Sequence, residues 1–142
     1  WTVFKANSEG FIVVLFEHKV LGDHRGNLVA IESNVNVPFD IERVFYIFGV
    51  HAEIPRGNHA HFETKQYLIA LNGSCAVTLV DGKKKDTYLL DKPNVGLFQD
   101  AMVWGTMHDF SSDCVLLVMA NNAYQDSDYI RDYHVFLKEV NS

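Results

Sequence analysis

The sequence predicts an all-β domain, a small antiparallel barrel or sandwich that ends in one short helix. The first observation is that short apolar segments rich in β-branched and aromatic residues recur along the chain. The second is that turn-forming pairs, such as Asn72-Gly73 and Asp81-Gly82, separate those segments. Many short strands at this spacing are typical of sandwiches and barrels. No repeat or linker divides the chain, so we expect a single domain over residues 1–142.

The segment Arg56–His61 reads as a strand, and the other expected strands are equally short. They are Phe11–Phe16, Leu28–Ser33, Arg43–Val50, Tyr67–Leu71, Ala76–Val80, Thr87–Leu90, Gly96–Phe98 and Val115–Met119. Helical spacing is confined to residues 126–140, where Ile130, Tyr133 and Leu137 recur on one face. We expect the C-terminal helix there.

Composition narrows the class of partner. The net charge of −6 argues against nucleic acid, because phosphate binding needs a basic face. No apolar stretch is long enough to cross a membrane, and the stretch at residues 11–16 is too short for a signal peptide. The chain begins at Trp1 rather than Met, so we expect a piece of a longer polypeptide or a trimmed chain.

Two cysteines, Cys75 and Cys114, lie in apolar, strand-like surroundings. Buried free thiols are the favoured interpretation, which fits a reducing cytoplasm, and a disulfide between the two is the less favoured alternative.

The two histidines in Arg56-Gly57-Asn58-His59-Ala60-His61 carry the strongest functional signal. Side chains two residues apart in a strand leave the same face of the sheet. His59 and His61 would therefore point together into the mouth of a barrel, or together towards solvent. Inside a cavity, two imidazoles can bind a metal ion or move protons at neutral pH.

The spacing around the pair resembles that of the cupin barrels. In these proteins a His-x-His motif is followed by a metal-binding Glu and then by a Gly. Here Gln66 follows His61 after four residues and Gly73 follows after six more. A neutral amide is a poorer ligand for a hard divalent cation than a carboxylate. His108 is the candidate third ligand, but we favour a barrel that has kept two histidines without the metal.

A narrower resemblance covers nearly the whole chain. The sequence is similar to the bacterial sugar 3,4-ketoisomerases, the WxcM-like cupins, in a series of blocks that occur in order. The blocks are residues 22–32, residues 37–47, residues 56–61 with Gln66, residues 71–75, residues 107–114 and residues 128–133. The resemblance implies a cupin-type β-barrel or jelly roll.

This family acts on dTDP-4-keto-6-deoxy-D-glucose, on the route to 3-amino-3,6-dideoxy sugars of surface polysaccharides. The resemblance therefore implies a cytoplasmic isomerase that needs no metal and no cofactor, and that forms homodimers. Some members are fused to an acyltransferase domain, which would suit a chain taken from a bifunctional protein. The sequence does not say whether the new C4 hydroxyl is axial or equatorial.

Moving a ketone from C4 to C3 through an enediol needs a base close to C3, and histidine has a suitable pKa. We assign His61 as the base and His59 as its partner in proton return, and the reverse order stays open. Tyr46 is a candidate acid or sugar-binding group, with a core tyrosine as the equal alternative.

Arginine suits the pyrophosphate of the nucleotide, because its planar fork bonds two oxygens at once. Arg56 is the first candidate, Arg43 the second and Arg25 the third. Gln66 would bond the sugar or orient a histidine.

Apolar and remaining polar candidates complete the expected site. Trp104 and Phe98 could form an apolar wall, although aromatic residues in strands more often belong to the core. His108 could line the mouth or cap a loop. Members often carry His or another large polar residue directly after the Trp, where this chain has Gly105.

Two other function classes stay open from the sequence alone. One is a metal-dependent cupin enzyme with His59, His61 and His108 as ligands. The other is a cupin that binds a nucleotide sugar without catalysis. The related 3,5-epimerases share substrate and fold, but residues 56–66 resemble the ketoisomerases better.

Overall fold

The structure, a computed structural model, describes residues 2–3 and 14–142. It contains thirteen strands and one α-helix among these residues. The strands are β1 Thr2–Val3, β2 Leu15–Glu17, β3 Leu21–Asp23, β4 Gly26–Leu28, β5 Arg43–Ile47, β6 Arg56–His61, β7 Gln66–Asn72, β8 Cys75–Val80, β9 Lys85–Leu90, β10 Val95–Gln99, β11 Trp104–His108, β12 Val115–Ala120 and β13 Tyr129–Ile130. The helix is α1 Tyr133–Val140, and a 3₁₀ turn spans Asp126–Asp128.

Two antiparallel sheets face each other. One has the strand order β1-β2-β10-β7-β12-β5, and the other has the order β13-β6-β11-β8-β9. The hairpin β3-β4 forms a separate two-stranded sheet. The prediction of an all-β, cupin-type barrel or jelly roll with a short C-terminal helix is confirmed.

Three apolar clusters hold this architecture together. The main core lies between the sheets, where Leu68 and Val118 of one sheet meet Val77 of the other. On the outer face of the six-stranded sheet, Tyr67 and Ile69 are covered by residues 31–41. Under α1 lies a third cluster, which contains Ala60, Val80, Trp104, Ile130 and Phe136. An apolar layer therefore packs against the outer face of each sheet.

Two expected elements differ from the structure. The prediction of a strand at Leu28–Ser33 is wrong beyond Leu28, because Asn36 bonds the amide of Glu32 and the carbonyl of Ala30 in place of a strand ladder. The helix begins at Tyr133 rather than near residue 126, because the Asp132 carboxylate caps the amide of Val135.

The remaining strand predictions agree with observed strands to within a few residues. Residues 11–13 of the first expected strand lie outside the described residues, and β2 continues the segment at Leu15. No helix in the described part of the chain has the length and apolar character needed to span a membrane.

The prediction of buried free thiols is confirmed. Cys75 and Cys114 are unbridged and fully buried, with a hydrogen bond between their side chains. Burial raises the pKa of Cys75 to about 12.

Candidate active site

The pleat of β6 sends both histidines into the space between the sheets. Ala60 is fully buried and packs outwards against Trp104 and Phe136 beneath α1. Because side chains alternate along a strand, His59 and His61 point the opposite way, towards the barrel interior. His61 is 3% exposed, and His59 is partly buried.

A β-bulge immediately before the pair sets its direction. The register between β6 and β11 shifts so that Gly105 lies opposite His59, whereas Thr106 lies opposite Gly57. The extra residue is Asn58, which has a left-handed φ of 59° and accepts a hydrogen bond from Thr106 Oγ1 at 3.0 Å. Gly57 has a φ of 84°, and a Cβ there would lie 3.0 Å from the Gly105 carbonyl oxygen. The Gly-Asn pair therefore provides the backbone that aims His59.

The rings of His59, His61 and Tyr129 cluster at the C-terminal end of β6. The ring centroids of His59 and His61 are 4.9 Å apart, and the Tyr129 ring lies 5.0 Å from His59 and 4.5 Å from His61. Tyr129 lies directly opposite His61 on β13. Its position is fixed by Asp128, whose carboxylate accepts hydrogen bonds from the amides of Glu63 and Thr64 in the turn after β6.

A row of polar side chains faces this ring cluster from the six-stranded sheet. In register across the sheet, Arg43 pairs with Ala120, Ala120 with Gln66, and Gln66 with Gln99. These residues share the inner face with Leu68, so they lie at the end of the main core. On this inner face, the apolar core thus gives way to Arg43, Gln66 and Gln99 at the end that faces the histidines.

Two arginines contribute positive charge beside the rings. The Arg43 guanidinium lies 4.6 Å from the Phe45 ring centroid and 5.2 Å from that of Tyr124. No described carboxylate forms an ion pair with it. The second arginine, Arg131, lies 4.3 Å from the Tyr129 ring and pairs with Asp126 at 2.9 Å.

Burial, the largest cause, and the neighbouring His59 lower the pKa of His61 to about 4, whereas the Asp128 carboxylate acts in the opposite direction. Arg43 and Arg131 also lower it. Burial lowers the pKa of His59 as well, against the effect of the Gly57 carbonyl. Both imidazoles are therefore neutral at pH 7 and can accept protons.

His61 Nε2 is buried and makes no hydrogen bond to any described residue. A buried polar atom without a partner is uncommon in folded proteins and calls for an explanation. An unpaired ring nitrogen beside Tyr129 and Arg43 is suited to receive a proton or a polar group of a bound molecule.

Three residues predicted for the site are not at this mouth. Trp104 packs its ring on Tyr133 and Phe136 at the outer surface of the five-stranded sheet. His108 lies on that same outer face, where Nε2 bonds Thr78 Oγ1 and Nδ1 bonds the Asp109 carboxylate, each at 2.7 Å. Gly105 lies opposite His59 and faces inwards. Because side chains alternate along β11, Trp104 and His108, one and three residues away from Gly105, face outwards.

Tyr46 is the third of these residues. Its side chain is on the outer face of the six-stranded sheet, 63% exposed and stacked on Phe48 at 6.0 Å. Its neighbours Phe45 and Ile47 point into the main core, so the pleat of β5 turns Tyr46 away from the histidines.

The other arginines are exposed. Arg56 lies at the start of β6, and its side chain makes no hydrogen bond or ion pair within the described ranges. Arg25 occupies the tip of the β3-β4 hairpin, where it pairs with Asp23 at 2.6 Å.

Phe98 packs near Phe39 on the outer side of β10, with ring centroids 6.3 Å apart.

Sequence reasoning missed Tyr129, Arg131 and Gln99. Tyr129 and Arg131 belong to the block 128–133, which supported the family resemblance, but nothing in that block reveals pairing with β6. Gln99 carried no motif signal. Only the register of the strands brings it beside Gly105.

The three-histidine metal set is not assembled. Within residues 2–3 and 14–142, no group of three or more His, Cys, Asp or Glu side chains could hold a metal ion. His108 faces away from His59 and His61, and Gln66 stands where a carboxylate ligand would be needed.

The shifted pKa of His61 predicts a specific pH dependence of stability. The imidazole of the unfolded chain titrates near pH 6.5, so between pH 6.5 and 4 the unfolded state binds a proton that the native state does not. Stability is therefore complete above pH 6.5 and is lost as the pH falls. We expect the free energy of unfolding of the wild-type protein to lose about 2 kcal/mol more than that of His61→Asn between pH 7 and pH 5.

Urea unfolding at both pH values measures this difference. The control is His24→Asn, which removes an exposed histidine and should retain the wild-type pH dependence. Parallel losses in the wild type and His61→Asn would contradict the prediction.

Comparison with known proteins identifies the family. The profile of the family described as FdtA, WxcM-like, C-terminal, matches residues 12–141. A TDP-4-oxo-6-deoxy-alpha-D-glucose-3,4-oxoisomerase from Aneurinibacillus thermoaerophilus is 51% identical over 129 residues, which cover 87% of this chain and 93% of that protein.

Two solved structures show the same fold at substantial identity. A variant of the 3,4-ketoisomerase QdtA from Thermoanaerobacterium thermosaccharolyticum, in complex with TDP-4-keto-6-deoxyglucose, is 40% identical with a TM-score of 0.87, covering 89% of this chain and 92% of that one. WlaRA, a TDP-fucose-3,4-ketoisomerase from Campylobacter jejuni, is 38% identical with a TM-score of 0.86, covering 89% and 94%. The resemblance in the sequence is thus confirmed, and the chain belongs to the FdtA family of WxcM-like proteins.

Proposed function

We propose that this protein is a sugar-nucleotide 3,4-ketoisomerase, which moves the keto group of a TDP-4-keto-6-deoxyhexose from C4 to C3. The observation that carries the proposal is the pair of neutral imidazoles, His59 and His61, which cluster with the Tyr129 ring on the inner face of β6, within the electrostatic influence of Arg43. The relatives that share 38–51% identity with this chain bear ketoisomerase or oxoisomerase names, which supports the same reaction.

The proposed reaction has two proton transfers. His61 takes the proton from C3 while the C4 carbonyl oxygen gains one, which yields the enediol. C4 then receives a proton at carbon and the C3 hydroxyl loses one, which yields the C3 ketone. Atoms and charge balance, since each step moves one proton on and one proton off. Two adjacent bases, with His59 as the partner, suit this exchange.

Tyr129 takes the role that the sequence suggested for Tyr46. The support is that its ring lies 5.0 Å from His59 and 4.5 Å from His61, whereas Tyr46 faces the other side of its sheet. We propose that it donates to the oxygen on which negative charge develops or supplies the proton that this oxygen gains.

The positive wall of the site is the proposed seat of the pyrophosphate. Arg43 has no described carboxylate partner, so its guanidinium is available to an anion. Arg131 adds a second positive charge, 4.3 Å from the Tyr129 ring centroid. Arg56 and Arg25 remain candidates for the outer part of the nucleotide, and Gln66 for a sugar hydroxyl.

We propose that the step needs no metal and no cofactor. The support is the geometry of the imidazoles, since His108 faces the opposite side of the sheet and Gln66 replaces a charged ligand. The metal-dependent alternative needs a third protein ligand that the described residues do not bring to the pair.

The wider setting is also part of the proposal. The product would serve the synthesis of 3-amino-3,6-dideoxy sugars in the cytoplasm, and an acyltransferase domain would act later on the same route. A homodimer is supported by the exposed apolar side chains of Val44 and Tyr46 on the edge strand β5 and of Phe48 just after it, which an isolated chain leaves in water.

Direct conversion tests the function. Incubation with TDP-4-keto-6-deoxyglucose in deuterated water, with a chelator present, should give the 3-keto product with deuterium at C4, because the imidazoles exchange protons with solvent. NMR of the product reads the keto position and the configuration at C4. Substrate that stays unchanged both with and without the chelator would refute the proposed reaction. Turnover that occurs only without the chelator would favour the metal-dependent alternative.

Replacing the histidines one at a time separates their roles. His61→Asn should lower kcat by at least 1,000-fold if it is the base, an order-of-magnitude expectation for loss of general base catalysis. His59→Asn should retain exchange of the C3 proton with solvent while losing the overall conversion. TDP affinity should change little in both variants. If instead only His59→Asn loses C3 exchange, the order of the two bases is reversed.

Arginine replacement tests the pyrophosphate seat. Arg43→Gln should weaken TDP binding about 10–100-fold, since a hydrogen bond to a charged group contributes about 1.5–3 kcal/mol. Calorimetric titration with TDP measures the effect, and Arg56→Gln and Arg25→Gln rank the other two arginines. The control is Lys92→Gln, which removes an exposed charge in the turn before β10. Wild-type affinity in Arg43→Gln would show that the anion binds elsewhere.

A further inference from the structure

The carboxamide of Gln99 occupies the place of a side chain at position 105. Gly105 lies directly opposite His59, so a side chain there would stand beside the imidazole. A Cβ built on Gly105 would lie 2.5 Å from Gln99 Nε2 and 2.9 Å from both Cδ and Oε1. Gln99, which comes from the opposing sheet and is 5% exposed, therefore fills this volume with a polar group.

The hydrogen bonds of Gln99 fix which end of the amide faces the cavity. Nε2 donates to the carbonyl oxygen of Val103 at 3.0 Å, in the connection between β10 and β11. A carbonyl can only accept, so the NH₂ group must point to Val103 and Oε1 must point away. Oε1 accepts no hydrogen bond from a described residue, although it is close to the backbone opposite His59.

Gln99 Oε1 is therefore available to accept a hydrogen bond from a bound molecule. A net hydrogen bond contributes about 0.5–1.5 kcal/mol, so a bound molecule that donates to this oxygen is held more tightly than one that does not. A hexose that reacts at C3 and C4 carries such a donor at the reacting carbons, first the C3 hydroxyl and then both hydroxyls of the enediol.

We propose that Gln99 orients the sugar by accepting a hydrogen bond at Oε1 from a hydroxyl of the reacting C3–C4 pair. Gly105 is then the complementary position, small because the carboxamide needs its space. The contact holds the ring beside His59 and limits which face of the enediol receives the proton at C4. Gln99 is thereby a determinant of the configuration of the new C4 hydroxyl. The inference rests on the isomerase reaction proposed above.

Two variants remove the oxygen from the cavity by different routes. Gln99→Met keeps the length of the side chain and removes the acceptor. Gly105→Ala keeps the carboxamide but displaces it, because the new Cβ would overlap the amide. The double variant Gln99→Ala/Gly105→Ala relieves that overlap and serves to separate crowding from loss of the acceptor.

The experiment measures kcat, KM, melting temperature, TDP affinity and the C4 configuration of the product by NMR. Gln99→Met and Gly105→Ala should each lower kcat about 10-fold or more and should give a mixture of C4 configurations, with TDP affinity within twofold of wild type. The double variant should melt near wild type yet still give the mixture, since the acceptor is absent.

Three outcomes would overturn the inference in distinguishable ways. A single C4 configuration and unchanged kcat in Gln99→Met would show that the oxygen does not orient the sugar. Restoration of wild-type product by the double variant would show that position 105 acts only through crowding. If the wild-type protein itself converts no substrate, the proposed isomerase reaction fails, and the role of Gln99 in it fails with that reaction.

Discussion

The outward packing of Ala60 is the constraint on which the site depends. This residue has no side-chain freedom, is fully buried under α1, and fixes which way the pleat of β6 faces. With Ala60 outwards, His59 and His61 can only point inwards, because a shift of one residue would exchange the two faces. The bulge at Asn58 adjusts the strand just before the pair, so the change of register is complete where the histidines begin.

Two opposing requirements meet inside the barrel. A pyrophosphate needs cations, whereas a base needs to be uncharged, and cations beside an imidazole keep it uncharged. Arg43 and Arg131 lower the pKa of His61 and, in the proposed function, would also present charge to an anion. An anion bound at Arg43 would cancel part of its field and make His61 more basic. In the proposed reaction, arrival of a negatively charged substrate would therefore strengthen the base.

The sequence was informative where local rules decide the structure. Period-two spacing correctly placed His59 and His61 on one face, and apolar segments with turn pairs located most strands. The same rules could not decide on which side Trp104 or Tyr46 would point, because that depends on how β11 and β5 pair with strands far away in the sequence. Parity relative to the histidines becomes known only once Gly105 is found opposite His59.

Long-range pairing also explains what was missed. Tyr129 reaches the histidines through a two-residue strand that no propensity scale would detect, held in place by the side chain of Asp128. The expected helix was too long at its start for the same reason, since Ile130 pairs with β6 instead of continuing a helix. Gln99 was missed because its carboxamide fills the space beside Gly105, and the two residues belong to different sheets.

The contact between Cys75 and Cys114 joins the two halves of the barrel. Cys75 begins β8 in one sheet, Cys114 immediately precedes β12 in the other, and each thiol is protonated and shielded from solvent. A maleimide can reach either sulfur only when the halves part. The rate at which the two thiols are labelled would therefore measure how often the two sheets separate. The same rate with a nucleotide present would show whether binding slows that separation.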